Sequence, residues 1–209
     1  MTRYYDFYYS YAVNSYLLVI LAYFIGSIPV GVLLSRMKGT DPRNVGSGNI
    51  GATNVMRAAG KVTGILTLGG DILKGLIPVV VCAQTGEPEL IVAASGLAVF
   101  VGHLFPIFLR FRGGKGVATA LGVCLGLEPC AVAIDVVVFI AVVLKWPYVS
   151  LGSLVAATAM PLLLYILHAG DLYICLVTIM AILIFIRHKE NIRRILAGTE
   201  STIHAPRKS

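Results

Sequence analysis

Residues 89–109, ELIVAASGLAVFVGHLFPIFL, form a long apolar run, and RFRGGKGVAT (110–119) follows it directly. A helix of about 20 apolar residues spans a hydrocarbon core ~30 Å thick. Further apolar runs lie at 15–35, 62–84, 131–146, 149–168 and 171–187, with a shorter one at 116–128. The sequence therefore predicts an all-α, polytopic membrane protein of about seven transmembrane helices joined by short motif loops.

The composition of the whole chain agrees with this class. Of the 209 residues, 57% are hydrophobic and 13% are charged, and the mean hydropathy is +0.86. Soluble globular chains carry about 25% charged residues. We therefore expect residues 1–209 to form a single membrane domain. The tyrosine-rich start of the chain indicates an uncleaved first helix with an interfacial aromatic collar, since no small-residue cleavage site follows.

The distribution of basic residues predicts the topology, because short cytoplasmic loops are rich in Lys and Arg. If residues 116–128 cross the membrane, all of the 17 basic residues except Arg3 and Lys74 fall on one side. This split favours seven spans, with the N-terminus outside and the C-terminus in the cytoplasm. A re-entrant 116–128 segment, which leaves six spans, is the alternative. In the seven-span topology three polar loops share the cytoplasmic face: 44–61, 110–119 and 187–200.

The first loop, NVGSGNIGATNVMRAAGK (44–61), combines flexible backbone with hydrogen-bonding side chains. Its neutral polar residues are Ser47, Asn49, Thr53 and Asn54. A short helix predicted over 52–59 would direct its N-terminal N–H groups toward Ser47, and such a helix end attracts anions. Arg57, one turn after Thr53, could add a guanidinium that binds phosphate. An ordinary solvated loop with a positive-inside arginine is the alternative.

The second loop surrounds one cation with glycines, at Gly113, Gly114, Lys115 and Gly116, just before a helix that starts near residue 117. Glycine turns leading into a helix suit the binding of phosphate. The loop is not a Walker A motif, because glycine follows Lys115 where Ser or Thr should stand. A glycine turn beside a positive-inside lysine remains the alternative.

The third loop, RHKENIRRILAGTE (187–200), carries His188 and Asn191 on one helix face where the last span ends. An unperturbed histidine, with a pKa of about 6.5, could act as a base or as a hydrogen-bond donor. An interfacial histidine without a catalytic role is the alternative. The i, i+4 spacing of Glu190 and Arg194 predicts a surface ion pair.

Ionisable residues also occur within the apolar runs, where an unpaired charge is costly. Asp71 and Lys74 stand at i, i+3 and indicate either a structural ion pair or a polar lining of the site. His103 lies toward the same end as the glycine-rich loop and is a candidate second histidine of the site. Asp135 is predicted to be interfacial.

Several absences narrow the chemistry. His103 is not followed by the Asp of an HxxxxD acyltransferase dyad. We find no multi-Asp cluster and no His/Cys grouping typical of a metal site, and the four cysteines are interpreted as small buried hydrophobic residues. We therefore expect no metal, no cofactor, no nucleic acid and no obligate protein partner. Three phosphate-binding elements on one face predict a small phosphorylated ligand together with an apolar one from the bilayer. An anion transporter is the competing class, although it would show broken helices or inverted repeats.

Taken together, GSGNIGATNVMRAAGK, GHLFPIFLRFRGGKGVAT and HKENIRRILAGTE resemble the three motifs of the bacterial acyl-phosphate:glycerol-3-phosphate acyltransferase family, in order and across essentially the whole chain. The resemblance implies an inner-membrane enzyme. Such an enzyme transfers a fatty acyl group from acyl phosphate to the 1-hydroxyl of glycerol 3-phosphate. The products would be lysophosphatidic acid and phosphate, at the start of phospholipid synthesis.

The resemblance also implies roles for residues. Ser47, Arg57 and Lys115 would bind the phosphates, and the three glycines would shape their loop. Asn49, Thr53 and Asn54 would complete a polar wall. His188 and Asn191 would orient the glycerol hydroxyls, and Glu200 would have a structural role. Either His188 or the substrate's own phosphate could accept the proton.

Overall fold

The protein is helical throughout the part that the computed structural model describes, which is residues 2–202, with side chains from residue 15 onward. Ten α-helices follow one another: α1 (Thr2–Ser27), α2 (Val30–Arg36), α3 (Ala52–Ala59), α4 (Lys61–Gln84), α5 (Glu89–Leu104), α6 (Val117–Leu127), α7 (Pro129–Lys145), α8 (Val149–Ile166), α9 (Asp171–Arg187) and α10 (Lys189–Leu196). The all-α prediction is confirmed. The side chains of the predicted aromatic collar, which precede residue 15, lie outside the described part, as do Arg207 and Lys208 of the predicted cytoplasmic set.

Four segments are long and apolar enough to cross a membrane: Ser15–Arg36, Lys61–Gln84, Glu89–Leu109 and Val149–Ile166. The α9–α10 pair, bent by 59°, would be a fifth if it forms one broken span. By contrast, α6 has only 11 residues, well below the usual spanning length, and α7 has 17, at the lower limit of that length. The count of about seven spans therefore stays a prediction.

Glycines allow the long helices to pack backbone against backbone. A Cβ atom at Gly26 of α1 would overlap the carbonyl of Val99 on α5, and one at Gly102 would overlap the carbonyl of Tyr23. A Cβ atom at Gly75 of α4 would likewise overlap the carbonyl of Thr119 on α6. Close approach at small residues is a common way for helices to associate in membranes. These contacts fix α5 and α6, and with them the loop that joins them.

The buried apolar core lies between α1, α4, α5, α6 and α9, around large side chains such as Phe100, Leu104 and Met180. It ends immediately beneath the glycine-rich loop, because Phe100 and Leu104 both contact the position of Gly116. The glycine-rich loop therefore stands at one end of this core. Asp135 of α7 is 6% exposed and lies near the thiol of Cys124 on α6, so its side chain faces the interior of the protein. Its interfacial depth in the membrane stays a prediction.

Candidate active site

The glycine-rich loop and the third loop are joined by Lys115. Its ammonium Nζ donates a hydrogen bond to Oδ1 of Asn191 at 2.5 Å. Asn191 lies on α10 and is 5% exposed. The first loop lies beside them, since a cavity of about 550 Å³ is lined by both Gly48 and Gly113. The structure thus brings together parts of all three motifs at one end of the helices.

Lys115 is a partly buried cation among other cations. Burial, as the largest influence, lowers the pKa of the Lys115 ammonium to about 8. The charge of Glu200 opposes this shift, while three guanidinium groups favour it, those of Arg194, Arg187 and Arg57. Arg57 is therefore close enough to act on Lys115 electrostatically. This excess of positive charge is the environment that an anionic ligand would neutralise.

Glu200 ties the chain after α10 to the rest of the site. Its Oε1 accepts hydrogen bonds from Nδ2 of Asn191 at 2.5 Å and from Oγ of Ser150 at 2.7 Å. Its Oε2 accepts one from Nε of Arg194 at 2.7 Å. Burial alone would raise the pKa of the Glu200 carboxyl, but these hydrogen bonds outweigh it and lower the pKa. Glu200 therefore stays ionised and holds Asn191 in place for Lys115.

The predicted ion pair between Glu190 and Arg194 is wrong. Arg194 binds Glu200 instead, and Glu190 pairs with Arg193 at 3.1 Å. Arg193 and Arg194 are both within helical reach of Glu190. Because residue 200 folds back onto Arg194, only Arg193 is left to pair with Glu190. Ser150 of α8 was not predicted for the site at all. A serine inside an apolar run gives no signal that it will meet a carboxylate 50 residues later.

His188 lies in the bend between α9 and α10 and is 2% exposed. Its Nδ1 is 2.8 Å from the carbonyl oxygen of Ile184, so the Nδ1–H tautomer donates there and leaves Nε2 as an acceptor. Burial, followed by the charge of Lys115, lowers the pKa of His188 to about 4. The imidazole is therefore neutral at pH 7 and is a weak base.

Arg187, which the sequence predicts only as part of the cytoplasmic basic set, donates two hydrogen bonds to the glycine-rich loop. Its Nη2 donates to the carbonyl of Gly113 at 2.7 Å, and its Nε donates to the carbonyl of Gly114 at 3.0 Å. The next turn of the loop needs glycine, because Gly116 has a φ of +87° and no room for a side chain against Phe100. The loop conformation is thus fixed by both its glycines and one guanidinium.

In the first loop, Asn54 shapes the backbone. Its buried amide accepts from the N–H of Ser47 at 3.0 Å and donates to the carbonyls of Pro42 and Asn49 at 2.7 and 2.8 Å. The Asn49 side chain accepts from the N–H of Gly51. Ser47 and Thr53, in contrast, have exposed side chains. The polar residues of this loop therefore divide into two that organise it and two that face outward.

The remaining predicted residues lie beneath the loops. Asp71 and Lys74 form a buried ion pair at 2.8 Å, and His103 stands next to them under the glycine-rich loop. Among the side chains that the structure describes, those of residues 15–202, no group of three or more His, Cys, Asp or Glu is arranged to hold a metal ion.

Comparison with known proteins assigns this arrangement to a family. The model of the family described as glycerol-3-phosphate acyltransferase matches residues 16–198. The chain belongs to the glycerol-3-phosphate acyltransferase family. A glycerol-3-phosphate acyltransferase of Geotalea daltonii is 52% identical over 184 residues, which cover 88% of this chain and 95% of the relative. One of Geobacter sulfurreducens is 50% identical and covers 92% and 99%.

Two solved structures share the fold of this glycerol-3-phosphate acyltransferase family member. Both are crystal structures of PlsY, described as an integral membrane glycerol 3-phosphate acyltransferase. The glycerol 3-phosphate form has a TM-score of 0.89 at 40% identity and covers 91% of this chain and 96% of that one. The lysophosphatidic acid form has a TM-score of 0.86 at 39% identity and covers 90% and 95%. With its apolar spans, this family member is a multi-pass membrane protein.

Proposed function

We propose that this protein transfers a fatty acyl group from acyl phosphate to the 1-hydroxyl of sn-glycerol 3-phosphate. The products would be lysophosphatidic acid and inorganic phosphate, in the first step of phospholipid synthesis. The observation that carries the proposal is the chain of contacts from Lys115 through Asn191 to Glu200, which joins two loops around a cation with a neighbouring excess of positive charge. It is the setting that a phosphate ester and a phosphorylated donor both require.

In this proposal the phosphates bind Ser47, Arg57 and Lys115, and the loop of Gly113, Gly114 and Gly116 receives them with its backbone. The outward-facing Thr53 adds a donor, whereas Asn49 and Asn54 act by shaping the first loop. His188 and Asn191 orient the glycerol hydroxyls. Acyl phosphate is an activated mixed anhydride, so the protein mainly has to position the hydroxyl and stabilise the charge of the departing phosphate.

The attacking hydroxyl must lose its proton. With a pKa of about 4, His188 is a poor acceptor near neutral pH. A phosphate monoester has its second pKa near ~6 and is the stronger base. We therefore assign the proton to a phosphate oxygen of the substrate, and give Nε2 of His188 the role of accepting a hydrogen bond from a glycerol hydroxyl.

A pH profile tests this assignment. His188 loses its neutral form only as the pH falls through about 4, so kcat/KM should show no inflection from this residue between pH 5 and pH 7. His188→Ala should retain measurable activity, with a profile parallel to that of the wild type. A wild-type inflection in this range that disappears in His188→Ala would show that the imidazole is the base.

The donor is tested by direct assay. Purified protein in detergent receives glycerol 3-phosphate with either acyl phosphate or acyl-CoA, and the release of phosphate and the formation of lysophosphatidate are followed. We expect product from acyl phosphate alone. Formation of product from acyl-CoA would overturn the proposal that acyl phosphate is the donor. No product from either donor, together with counterflow of phosphate esters in sealed vesicles, would favour the transporter.

We also propose that the protein has seven spans in the bacterial cytoplasmic membrane, with its site facing the cytoplasm. The supporting observations are the basic loops and the family membership. A single cysteine placed at Lys61 of a cysteine-free variant should react with a membrane-impermeant maleimide only after the cells are opened. Reaction in intact cells would show that residue 61 lies outside the cell and that the proposed orientation is reversed.

A further inference from the structure

A cluster of charged and polar side chains lies beneath the glycine-rich loop without touching the cavity above it. Asp71 and Lys74 on α4 are 2% and 6% exposed, and His103 on α5 is 3% exposed. Lys74 Nζ lies 2.8 Å from Oδ1 of Asp71 and donates to the carbonyl of Ile28 at 2.9 Å. Buried ion pairs of this kind contribute little net stability, because the loss of hydration offsets the attraction. Stability alone is therefore a weak reason for the pair.

His103 connects this ion pair to the loop. Its Nδ1 is 3.6 Å from Oδ1 of Asp71. On the other side of the ring, Nε2 lies directly against Gly114, so that a Cβ atom at residue 114 would overlap it. The backbone of His103 also accepts a hydrogen bond from the N–H of Gly114 at 3.2 Å. The imidazole thus supports the loop from below at Gly114, and Asp71 lies on the opposite side of the ring.

The loop is held from two sides. Arg187 donates hydrogen bonds to the carbonyls of Gly113 and Gly114. The N–H groups of the same two glycines donate to the carbonyls of Leu104 and His103, respectively. In a trans peptide the C=O and N–H bonds point in opposite directions. The N–H of Lys115, which shares its peptide with the carbonyl of Gly114, therefore points away from Arg187. Among the residues described, this N–H has no hydrogen-bond partner, so it is available to an anion.

We propose that Asp71, Lys74 and His103 are positioning residues for the glycine-rich loop. The ion pair fixes the position of the imidazole, and the imidazole fixes the position and orientation of Gly114. Gly114 in turn determines the direction in which the N–H and the ammonium of Lys115 point. A displacement of the ring would move both donors relative to a bound phosphate. The inference rests on the proposed function, because it assumes that the loop binds phosphate.

A paired substitution separates positioning from stability. Asp71→Leu with Lys74→Met removes both charges together, and such replacements of buried ion pairs are often neutral or stabilising. We expect the purified double variant to unfold thermally close to the wild type. The inhibition constant of inorganic phosphate, used as the probe, should nevertheless rise about tenfold, with a comparable fall in kcat/KM. Asp135→Leu is the matched control, because it removes a buried carboxylate from α7 and should leave the inhibition constant unchanged.

A double variant with the wild-type inhibition constant would overturn the inference and leave Lys74 only as a link between α4 and the carbonyl of Ile28. If the double variant does not fold, two variants of His103 decide. His103→Asn keeps a polar atom near the position of Nδ1 but removes the support under Gly114, whereas His103→Gln reaches toward Gly114. We expect the tenfold rise in His103→Asn and a smaller one in His103→Gln; equal, wild-type values would overturn the inference. A wild-type protein that neither transfers acyl groups nor responds to phosphate would instead contradict the proposed function.

Discussion

Lys115→Met should lower kcat/KM for glycerol 3-phosphate on the order of a thousandfold. The ammonium is the charged donor that joins the glycine-rich loop to Asn191, and its removal takes away a charge-assisted hydrogen bond where negative charge develops. Because burial already disfavours this cation, the variant should unfold at the same temperature as the wild type or at a higher one. Steady-state kinetics and thermal unfolding in the same detergent measure both effects.

Lys38→Met is the matched control for charge. Lys38 is exposed just after α2, on the side predicted to be cytoplasmic, so its loss should change kcat/KM less than about twofold, as for most exposed charges. Comparable losses in the two variants would mean that Lys115 acts only through the overall potential of this face.

The pH dependence of the same residue gives an independent result. Since the pKa of Lys115 is about 8 in the free protein, the cation is lost as the pH rises through that value. The wild-type kcat/KM should therefore fall above pH 8. A guanidinium stays protonated in this range, so Lys115→Arg should keep a low activity without that inflection. The same inflection in both proteins would assign it to another group.

Glu200→Ala should have the second largest effect, on both stability and activity. The side chain is 7% exposed and accepts hydrogen bonds from Asn191, Ser150 and Arg194, all of which would lose their acceptor. The ion pair itself contributes little because Arg194 is 39% exposed. Leaving buried donors without an acceptor costs about 1–3 kcal/mol, so we expect a loss of about 2 kcal/mol, mainly from Asn191 and Ser150. Activity should fall because Asn191 is no longer fixed for Lys115.

The contrast with Glu190→Ala makes this prediction specific. Glu190 is also paired with an arginine, but its side chain is 57% exposed, and exposed pairs contribute about 0–1 kcal/mol. Its loss should leave the unfolding midpoint and kcat/KM nearly unchanged. Glu200→Gln should fall between the two, because the amide keeps one acceptor oxygen and turns a donor toward Arg194. Equal stability of Glu190→Ala and Glu200→Ala would contradict the proposed network.

Local features of the site were predictable from the sequence. The short helix expected over 52–59 is α3, and the helix expected near residue 117 is α6, because glycines break the chain just before each. The contacts between loops were not predictable. Arg187 and Arg194 have the same sequence context as any positive-inside residue. Only the folded chain shows that Arg187 donates to backbone carbonyls and that Arg194 pairs with the carboxylate of Glu200.

Hydropathy likewise could not settle how many helices cross. It measures how apolar a segment is, and α6 is clearly apolar, but a membrane crossing also requires length. Asp135 shows a related limit at the level of one residue. A hydropathy profile carries no angular information, so it could not predict that the side chain of residue 135 faces the interior of the protein, where it is 6% exposed.

The 11 residues of α6 make a rod of about 16 Å, roughly half the thickness of the hydrocarbon layer. If α6 is one of the seven proposed spans, its two ends therefore cannot both reach the surfaces of a bilayer of average thickness, and at least one of them lies at the depth of the lipid tails. If the sunken end is the one that carries Lys115, an acyl donor can reach the ammonium while most of its chain stays among those tails. Each methylene that remains there avoids a transfer into water worth about 0.8 kcal/mol. A short helix would thus lower the work of extracting the donor, whatever the length of its chain.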